Sequence, residues 1–147
     1  MNKAVPYDLF YTKVMDLSVW ICTKILRFGK YENESIIKFA AALENSNVLD
    51  YGCNTGRHAL NIKQAYGCNV MGADINPAAI SVAQRKGIPA ELITPKLFEK
   101  YKLSFDIIIN SHVLEHVDDP KDFLVNIRGL LKEDGTFVIA IPQERIR

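Results

Sequence analysis

The hydrophobic pattern of this chain changes near residue 46. Before that point, apolar residues recur at spacings of three and four, which is typical of the buried face of a helix. The first such series predicts a helix over Tyr7–Phe28 and consists of Phe10, Val14, Leu17, Ile21 and Ile25. The second predicts a shorter helix and consists of Ile36, Ile37, Ala40, Ala41 and Leu43. Residues 1–45 are therefore predicted to form a helical extension or lid.

After residue 46, short apolar runs alternate with amphipathic segments. Strands are predicted at Asn47–Tyr51, Asn69–Ala73, Ala90–Ile93, Phe105–Asn110 and Thr136–Ile141. Helices are predicted at Arg57–Tyr66, Pro77–Lys86 and Pro120–Lys132, with a short or irregular crossover at Pro95–Tyr101. Repeated strand–helix–strand units with right-handed crossovers favour an α/β fold with a doubly wound, mainly parallel five-stranded sheet.

Turn and cap residues support these boundaries. Asn76 and Asp119 each precede a proline, a pair that typically caps and opens a helix. Gly87 and Gly135 follow the same two predicted helices, and glycine is typical of a helix end. The run 107–109 is apolar on both faces, as expected of a central strand that helices cover on both sides.

Composition narrows the class of protein. Apolar residues make up 48% of the chain and the formal net charge is +1 at pH 7, so no nucleic-acid partner is predicted. Cys22, Cys53 and Cys68 have no C-x-x-C spacing, which argues against disulfides or structural zinc and favours a reducing, cytoplasmic compartment. No apolar run reaches the roughly 20 residues of a membrane span, and charged residues interrupt the N-terminal segment where a signal peptide would be apolar.

The segment from Asp50 to Gly56 is the strongest candidate for a ligand site. It joins a predicted strand to a predicted helix through a glycine-bearing turn, and backbone N–H groups at such a helix start favour anionic groups. Ligands of doubly wound sheets bind at the carboxyl ends of the strands, so residues 74–76 and 110–115 are expected around the same crevice. Asp74 ends the second strand, where a carboxylate can accept the hydroxyl hydrogens of a ribose.

Two phosphate-binding motifs fit this turn poorly. A dinucleotide site needs glycine at positions 52, 54 and 57, whereas the chain has Gly52, Asn54 and Arg57. A P-loop needs its second glycine where Arg57 stands. The turn therefore favours a nucleoside ligand without these phosphate contacts, and a nicotinamide-dependent enzyme is the less favoured alternative.

Four sequence blocks, in order, resemble the small-molecule-type branch of the class I S-adenosylmethionine-dependent methyltransferases. Residues 49–56 are similar to the family's L-D-x-G-C-G-x-G, and residues 70–77 to its V-x-G-x-D-x-S-P. Residues 105–117 resemble F-D-x-V…V-L-E-H-V, and residues 130–136 resemble L-L-K-P-G-G. The resemblance covers roughly residues 46–142 and implies a Rossmann-like domain with S-adenosyl-L-methionine as its cofactor.

The resemblance also implies a set of cofactor-binding residues. The set consists of Asp50, Gly52, Cys53, Asn54, Gly56, Asp74, Ile75, Asn110 and Ser111. The glycine turn would line the methionine end of the cofactor, and Asp50 would help to hold its charged head group. Asp74 would take the ribose hydroxyls, with Ile75 against the adenine face. Asn110 and Ser111 would face the methionine moiety through backbone groups.

The chain departs from the family pattern in three places. Asn54 replaces the middle glycine of the first motif; asparagine tolerates a positive φ, but its side chain takes up space near the ligand. Ile93-Thr94-Pro95 stands where the family often has an acidic residue for the adenine. The family's sheet continues past the fifth strand, so the domain of residues 46–147 is predicted to be shortened, with the edge strand 136–141 favouring self-association.

His112, Glu115 and His116 form the candidate catalytic group. Their spacing matches H-x-x-E-H, a zinc-protease motif, but that motif must lie within a helix and a strand is predicted to end two residues earlier. No third ligand is evident, because His58 is the only other histidine, and no metal site is predicted. Two interpretations stay open: one of these side chains is a general base toward a methyl acceptor, or Glu115 and His116 make structural hydrogen bonds.

Other residues also have two interpretations. Cys53 is expected to be a small packing residue rather than a nucleophile. Arg57 and His58 either contact a ligand carboxylate or lie in solvent at a helix start. Five aromatic residues could line a lid, although helical spacing favours core packing: Tyr7, Phe10, Tyr11, Trp20 and Tyr31.

Two functional hypotheses from different classes result. The first is a methyltransferase that uses S-adenosyl-L-methionine and acts on a small-molecule or lipid-like acceptor, with the protein aligning an in-line displacement and excluding water. The second is a shortened, non-catalytic module that binds S-adenosylmethionine or serves only in protein interaction. The acceptor itself has no signature in the sequence.

Overall fold

The computed structural model of the protein describes residues 28–40 and 44–141. Its strands are β1 (Asn47–Tyr51), β2 (Asn69–Asp74), β3 (Ala90–Leu92), β4 (Phe105–Ser111) and β5 (Leu131–Ala140). Its helices are α1 (Phe28–Ala40), α2 (Arg57–Tyr66), α3 (Pro77–Arg85), α4 (Pro95–Lys100) and α5 (Pro120–Leu130), with a 3-10 turn at Leu114–His116. Within these residues, no helix has both the length and the apolar character to cross a bilayer.

The five strands form one sheet in the order β3-β2-β1-β4-β5, and each neighbouring pair is parallel. The predicted doubly wound, Rossmann-like sheet is confirmed. From β1 the chain moves outward through β2 and β3 on one side, and through β4 and β5 on the other. The strand order therefore reverses beside β1, and this is where open α/β sheets bind ligands, at the carboxyl ends of the strands.

Apolar side chains cover the central strands on both faces. One cluster packs Ile36 of α1 and Ile62 of α2 against Val48. The cluster on the other face packs Leu97 of α4 and α5 residues such as Phe123 against the sheet. The predicted two-faced burial of residues 107–109 is confirmed, because all three isoleucines are at most 6% exposed. This burial makes β1 and β4 a rigid support for the loops at their carboxyl ends.

Both predicted N-terminal caps are present, whereas Gly135, predicted to follow the end of α5, lies within β5. The Asn76 side chain accepts a hydrogen bond of 2.9 Å from the backbone N–H of Ala78 at the start of α3. The Asp119 carboxylate accepts bonds of 2.9 and 3.1 Å from the backbone N–H groups of Lys121 and Asp122 at the start of α5. These bonds satisfy helix N–H groups that have no partner within the helix.

Most predicted boundaries differ from the structure by one or two residues. The strand β2 extends to Asp74 and β4 to Ser111, β3 ends at Leu92, and the predicted crossover at 95–101 contains a regular helix over residues 95–100. The helix α3 ends at Arg85, one residue early, and α5 ends at Leu130, two residues early. Terminal turns fray, and differences of this size are ordinary.

The start of β5 is the larger correction. The strand begins at Leu131 rather than Thr136, because Leu131 pairs with Phe105 and Thr136 pairs with Ile107. Residues 132–135 bulge out between these two pairs. The Arg128 guanidinium donates to the backbone oxygens of Leu131 and Lys132 at 3.2 and 3.0 Å, which satisfies carbonyl groups in the bulge.

Part of the predicted N-terminal extension packs on the sheet. Ile36 and Ala40 are 3% and 2% exposed and belong to the same cluster as Val48. The compact units of the chain are residues 1–35 and 36–147, and the predicted domain boundary after residue 45 stays a prediction. The apolar spacing at 36–40 predicts a helix face but contains no information on which unit that face joins.

Several predictions concern residues that the structure does not describe. The helix over Tyr7–Phe28 lies outside the described residues except for its last residue, as do the aromatic positions before residue 28. The same holds for residues 41–43 at the end of the second predicted helix.

Candidate active site

The turn after β1 places three residues in the left-handed backbone region. Gly52, Asn54 and Gly56 have φ of 82°, 49° and 75°. Glycine adopts this conformation without a Cβ clash, and asparagine tolerates it better than most residues. The turn is fastened to β2, because the Gly52 and Cys53 N–H groups donate to the carbonyl oxygen of Ala73 at 2.7 and 3.0 Å. Asn54 therefore keeps the shape of a turn in which the family prefers glycine.

The two glycines of the turn make room for different neighbours. A Cβ on Gly52 would overlap Cγ2 of Val113, which lies in the loop after β4. A Cβ on Gly56 would lie 3.0 Å from Cβ of Ala83 on α3, so Gly56 allows the start of α2 to approach α3. Gly52 lines the crevice described below, whereas Gly56 does not.

The Asp74 carboxylate connects this turn to the end of β2. One of its oxygens accepts from the Asn54 N–H at 2.8 Å, and the other accepts from the Asn76 N–H at 2.9 Å. Asp74 lines the crevice, and the next residue, Ile75, is 78% exposed beside it. The arrangement fixes a carboxylate next to an exposed apolar side chain at the mouth of the crevice.

Asp50 is buried rather than exposed to the crevice. It is 1% exposed, and its carboxylate accepts from the Ala59 N–H at 3.1 Å, which ties β1 to the first turn of α2. Burial raises the pKa of Asp50 to about 7; repulsion from Asp74 adds to this, while the Ala59 N–H and the Arg57 charge oppose it. The predicted contact of Asp50 with a charged head group stays a prediction.

Cys53 is held between the turn and β2. It is 3% exposed, and its sulfur would lie 2.6 Å from a Cβ placed on Gly72. Burial raises the pKa of Cys53 to about 12, with further contributions from the carboxylates of Asp50 and Asp74. Because the thiol stays protonated at neutral pH, its chemistry agrees with a packing role rather than a nucleophilic one.

The crevice has a volume of about 680 Å³ and opens at the carboxyl ends of the strands. This volume lies within the usual range of ligand sites, about 300–1,000 Å³. Eight predicted site residues line it: Gly52, Cys53, Asn54, Asp74, Ile75, Ser111, His112 and His116. Four do not line it: Asp50, Gly56, Asn110 and Glu115. The structure thus brings most of the predicted set together around one cavity.

Asn110 is a buried residue of β4 that bonds to the neighbouring strand β1. It is fully buried, and its side-chain N–H donates to the carbonyl oxygen of Tyr51 at 3.1 Å. Its side-chain oxygen has no hydrogen-bond partner among residues 28–40 and 44–141. The side chain therefore joins β4 to β1, and the predicted backbone contact of Asn110 with a cofactor stays a prediction.

The candidate catalytic group lies in the loop that leaves β4. His112 has a left-handed φ of 57°, and only residues 114–116 form a 3-10 turn. The two histidines of the H-x-x-E-H spacing therefore do not share one α-helix, as the zinc-protease motif requires. In the described part of the chain, no group of three or more His, Cys, Asp or Glu side chains is placed to hold a metal ion.

Cationic and titratable side chains are among the residues that line the crevice. All three histidines of the chain line it: His58, His112 and His116. Arg57 also lines it, with its guanidinium 3.3 Å from the His58 ring nitrogen Nε2. Arg57 is exposed and His58 is partly exposed at the start of α2, so both interpretations of these residues stay open.

Apolar lining residues form what we call the apolar wall of the crevice. Most of these residues were not predicted as site residues from the sequence. Tyr51 and Phe123 pack edge to face with their ring centroids 5.6 Å apart, and Val113 and Val117 lie beside them. Tyr51, Val113 and Val117 stand inside the blocks that carried the family resemblance, which was the available signal. Phe123 had no such signal, because its spacing on α5 is that of an ordinary core residue.

Fold and crevice together define a Rossmann-like domain with a cavity of ligand size at the carboxyl edge of its sheet. The sequence of residues 21–147 matches the family Methyltransf_23, a methyltransferase domain. The chain therefore belongs to this family of class I S-adenosylmethionine-dependent methyltransferases, as the four motif blocks predicted.

Individual proteins show the same relationship. A ubiquinone biosynthesis O-methyltransferase from Pelagibacter ubique is 31% identical over 130 residues, which is 80% of this chain and 53% of that protein. The YcgJ protein of Bacillus subtilis is 26% identical with a TM-score of 0.66, over 75% of this chain and 50% of that one. The chain spans about half the length of the curated relatives that it matches.

A more distant solved structure shows the fold alone. Geranyl diphosphate C-methyltransferase from Streptomyces coelicolor superposes with a TM-score of 0.71 at 16% identity. The match covers 92% of this chain and 52% of that one. That structure contains geranyl diphosphate and S-adenosyl-L-homocysteine.

Proposed function

We propose that this chain binds S-adenosyl-L-methionine in the crevice and transfers its methyl group to a small-molecule or lipid-like acceptor. The observation that carries the proposal is the position of the Asp74 carboxylate. It lies beside an exposed apolar residue and is hydrogen-bonded to the glycine-bearing turn, all on one crevice. Family membership and the O-methyltransferase names of the relatives support the same activity.

The residues present fit this cofactor. Each Asp74 oxygen accepts one backbone N–H, and a carboxylate oxygen has further acceptor capacity for the two ribose hydroxyls. Ile75 is exposed for contact with the adenine face, and Gly52 lines the crevice with backbone alone, because Val113 fills the position of a Cβ. Ile93 lines the crevice in place of the family's acidic residue, so the adenine edge would meet an apolar side chain.

The protein's part in the reaction is to align the reactants and exclude water. When bound, the cofactor supplies an electrophilic methyl group on a sulfonium. The apolar wall around Tyr51 and Phe123 would hold an apolar or aromatic acceptor. His112 and His116 line the crevice and Glu115 contacts His112, and the role of one of these side chains as a base toward an acceptor hydroxyl is part of the proposal.

Cofactor binding is tested by calorimetry with S-adenosylmethionine and S-adenosylhomocysteine. We expect Asp74→Asn to weaken both by about 10-fold or more, because a hydrogen bond to a charged group contributes about 1.5–3 kcal/mol. Asp118→Asn, the same change at an exposed position of the loop before α5, is the control and should leave affinity unchanged. If the Asp74 variant binds S-adenosylmethionine as tightly as wild type does, Asp74 is not part of the cofactor site.

Turnover is tested by transfer of a labelled methyl group to a metabolite extract. The alternative, a non-catalytic module, predicts cofactor binding without any labelled product. It is the less favoured function, since the matched relatives are named as O-methyltransferases. A cytoplasmic location, inferred from the cysteine pattern, and the absence of a nucleic-acid partner, inferred from the net charge of +1, belong to the same proposal.

Self-association through the edge strand is a further part of the proposal. The strand β5 is the last in the sheet order and pairs with β4 alone among the described strands. It is ten residues long, and Ile139 is 41% exposed on it. A long edge strand with exposed apolar residues offers unpaired backbone groups to another chain.

A further inference from the structure

The candidates for the base are His112, His116 and Glu115, and their contacts in the structure differ. The Nδ1 atom of His112 lies 3.4 Å from Oε1 of Glu115, three residues further along the chain. His112 lines the crevice, whereas Glu115 does not. The carboxylate is thus placed to contact one nitrogen of a ring that itself reaches the cavity.

The main chain of His112 is also fixed. Its N–H donates to the carbonyl oxygen of Ala140 at the end of β5, at 2.9 Å. Its φ of 57° lies in the left-handed region, where non-glycine residues are uncommon and histidine is enriched. Such strained conformations gather at functional sites, where the surrounding structure holds them. The main chain and the side chain of His112 therefore each have a separate fixed contact.

His116 differs in this respect. It also lines the crevice, and its backbone N–H donates to the carbonyl oxygen of Val113. Within residues 28–40 and 44–141, its ring has no hydrogen-bond or ion-pair partner that would fix a tautomer. A histidine serves as a base through the nitrogen that carries no proton, and a partner on the other nitrogen decides which one that is.

We propose that His112 is the catalytic base that takes the proton of an acceptor hydroxyl, and that Glu115 is a positioning residue that holds the His112 ring. This inference rests on the proposed function and specifies the acceptor atom as a hydroxyl oxygen. Glu115 Oε1 lies 3.4 Å from Nδ1 of His112. With a proton held on Nδ1 by this contact, Nε2 would carry no proton and could act as the base. The carboxylate also stabilises the imidazolium formed in the reaction, as in other carboxylate–histidine pairs.

The proposed step balances in atoms and charge. The acceptor O–H bond breaks and its proton passes to Nε2 of His112, while the oxygen forms a bond to the methyl carbon. The carbon–sulfur bond breaks with its electron pair on sulfur, so S-adenosylmethionine becomes S-adenosylhomocysteine and the acceptor becomes a methyl ether. The imidazolium then releases its proton to solvent, and no oxidant or further reactant is needed.

The first test uses two acceptors of different acidity, catechol and 4-nitrocatechol, with His112→Asn. Asparagine tolerates the left-handed backbone but cannot act as a base. We expect kcat with catechol to fall by about 100-fold or more, the usual contribution of a general base. The ionised nitrocatechol needs no base, so its kcat should stay within a few-fold of wild type, as should the affinity for S-adenosylmethionine.

The second test examines Glu115 and keeps the inference falsifiable whether or not these catechols are substrates. Nitrogen NMR of the full chain should show His112 with its proton on Nδ1. Glu115→Ala should shift that proton toward Nε2, whereas Glu115→Gln, which retains an acceptor oxygen, should preserve the tautomer. In kinetics, Glu115→Ala should lower kcat with catechol and leave the KM for S-adenosylmethionine unchanged. Glu133→Gln, in the bulge before Thr136, is the control for a loss of carboxylate elsewhere.

The outcomes separate this inference from the proposed function. If His112→Asn keeps full turnover of catechol while His116→Ala loses it, the base is assigned to the wrong histidine. If the wild type binds the cofactor but methylates neither catechol, the proposed transfer to these hydroxyls fails, and the NMR result decides on the pair. A His112 ring protonated on Nε2, or unaffected by Glu115→Ala, overturns the positioning role.

Discussion

At the scale of single residues, backbone strain is concentrated beside the crevice. The described residues other than glycine with a positive φ are Asn54, Leu103 and His112, and two of these three line the cavity. A left-handed conformation costs most L-residues about 1–2 kcal/mol. The sequence predicted this conformation at Asn54, because the family motif has glycine there. It gave no such indication for His112, since that strain depends on a hydrogen bond to the distant strand β5.

Replacing Asn54 with glycine tests the cost of this departure from the motif. We expect Asn54→Gly to raise the free energy of unfolding by roughly 0.5–1 kcal/mol, because glycine adopts a φ of 49° without strain. It should also tighten S-adenosylmethionine binding, because a side chain is removed from the crevice. Urea unfolding and calorimetry measure the two effects. Asn61→Gly, inside α2, should instead destabilise the protein; a loss of stability in both variants would contradict the strain argument.

The buried carboxylate of Asp50 has a consequence for pH dependence. Its folded pKa of about 7 lies above the ordinary 3.8, so between these values the native state binds a proton that the unfolded chain releases. The free energy of unfolding therefore decreases as pH rises through this window, by up to about 1.4 kcal/mol per pH unit. Asp50→Asn retains an acceptor for the Ala59 N–H and should remove this slope.

Denaturant unfolding at several pH values measures the effect. The advantage of Asp50→Asn over wild type should grow from about pH 4 to about pH 7. Asp118→Asn at an exposed position serves as the reference for removal of a carboxylate. Parallel curves for wild type and the Asp50 variant would show that the carboxyl group keeps its ordinary pKa on folding.

At the scale of elements, the sequence predicted the strands and helix starts that have a local pattern of residues. Apolar runs identified all five strands, and cap residues such as Asn76 and Asp119 identified helix starts. The beginning of β5 was missed, because Leu131 and Lys132 continue the predicted helix and Glu133, Asp134 and Gly135 have the composition of a loop. Their place in the strand depends on the pairing of Leu131 with Phe105, a contact between residues distant in sequence. Local patterns do not contain such long-range contacts.

The packing of the turn on β2 is testable through Gly72 and Cys53. A Cβ on Gly72 would lie 2.6 Å from the Cys53 sulfur, so Gly72→Ala should cost about 1–3 kcal/mol of stability. Cys53→Ala removes the sulfur, and the double variant should recover part of that loss. A double-mutant cycle by urea unfolding measures the coupling. Additive changes in the free energy of unfolding would mean that the turn shifts away from β2 without loss of stability.

At the scale of the whole molecule, the crevice is assembled from segments that the sequence keeps apart. Residues at the strand ends were predictable because a parallel sheet brings all its carboxyl ends to one edge. The apolar wall was not, because whether Phe123 faces the core or the cavity depends on the position of α5 on the sheet. The burial of Asp50 and Asn110 was likewise not predictable from the sequence, because it depends on packing. The motifs predict which edge of the sheet binds a ligand, whereas packing determines which side chains line the cavity at that edge.

The edge strand supports a prediction about association. We expect the chain to form dimers or larger species through β5, and Ile139→Lys to shift the population toward monomer, since lysine on an edge strand opposes pairing. Light scattering over a concentration series measures this. Val125→Lys, on the exposed face of α5 at 63% exposure, introduces the same charge away from the edge and should have no such effect. A monomeric wild type at high concentration would contradict the prediction.

The Arg57 guanidinium on the crevice has a consequence for product release. Methyl transfer would convert a sulfonium cation into an uncharged thioether, so substrate and product would differ by one positive charge in the same cavity. The guanidinium charge would repel the sulfonium and leave the thioether almost unaffected. We expect Arg57→Gln to lower the ratio of the dissociation constants, S-adenosylmethionine over S-adenosylhomocysteine, as measured by calorimetry. A cation at this place would therefore favour retention of the product.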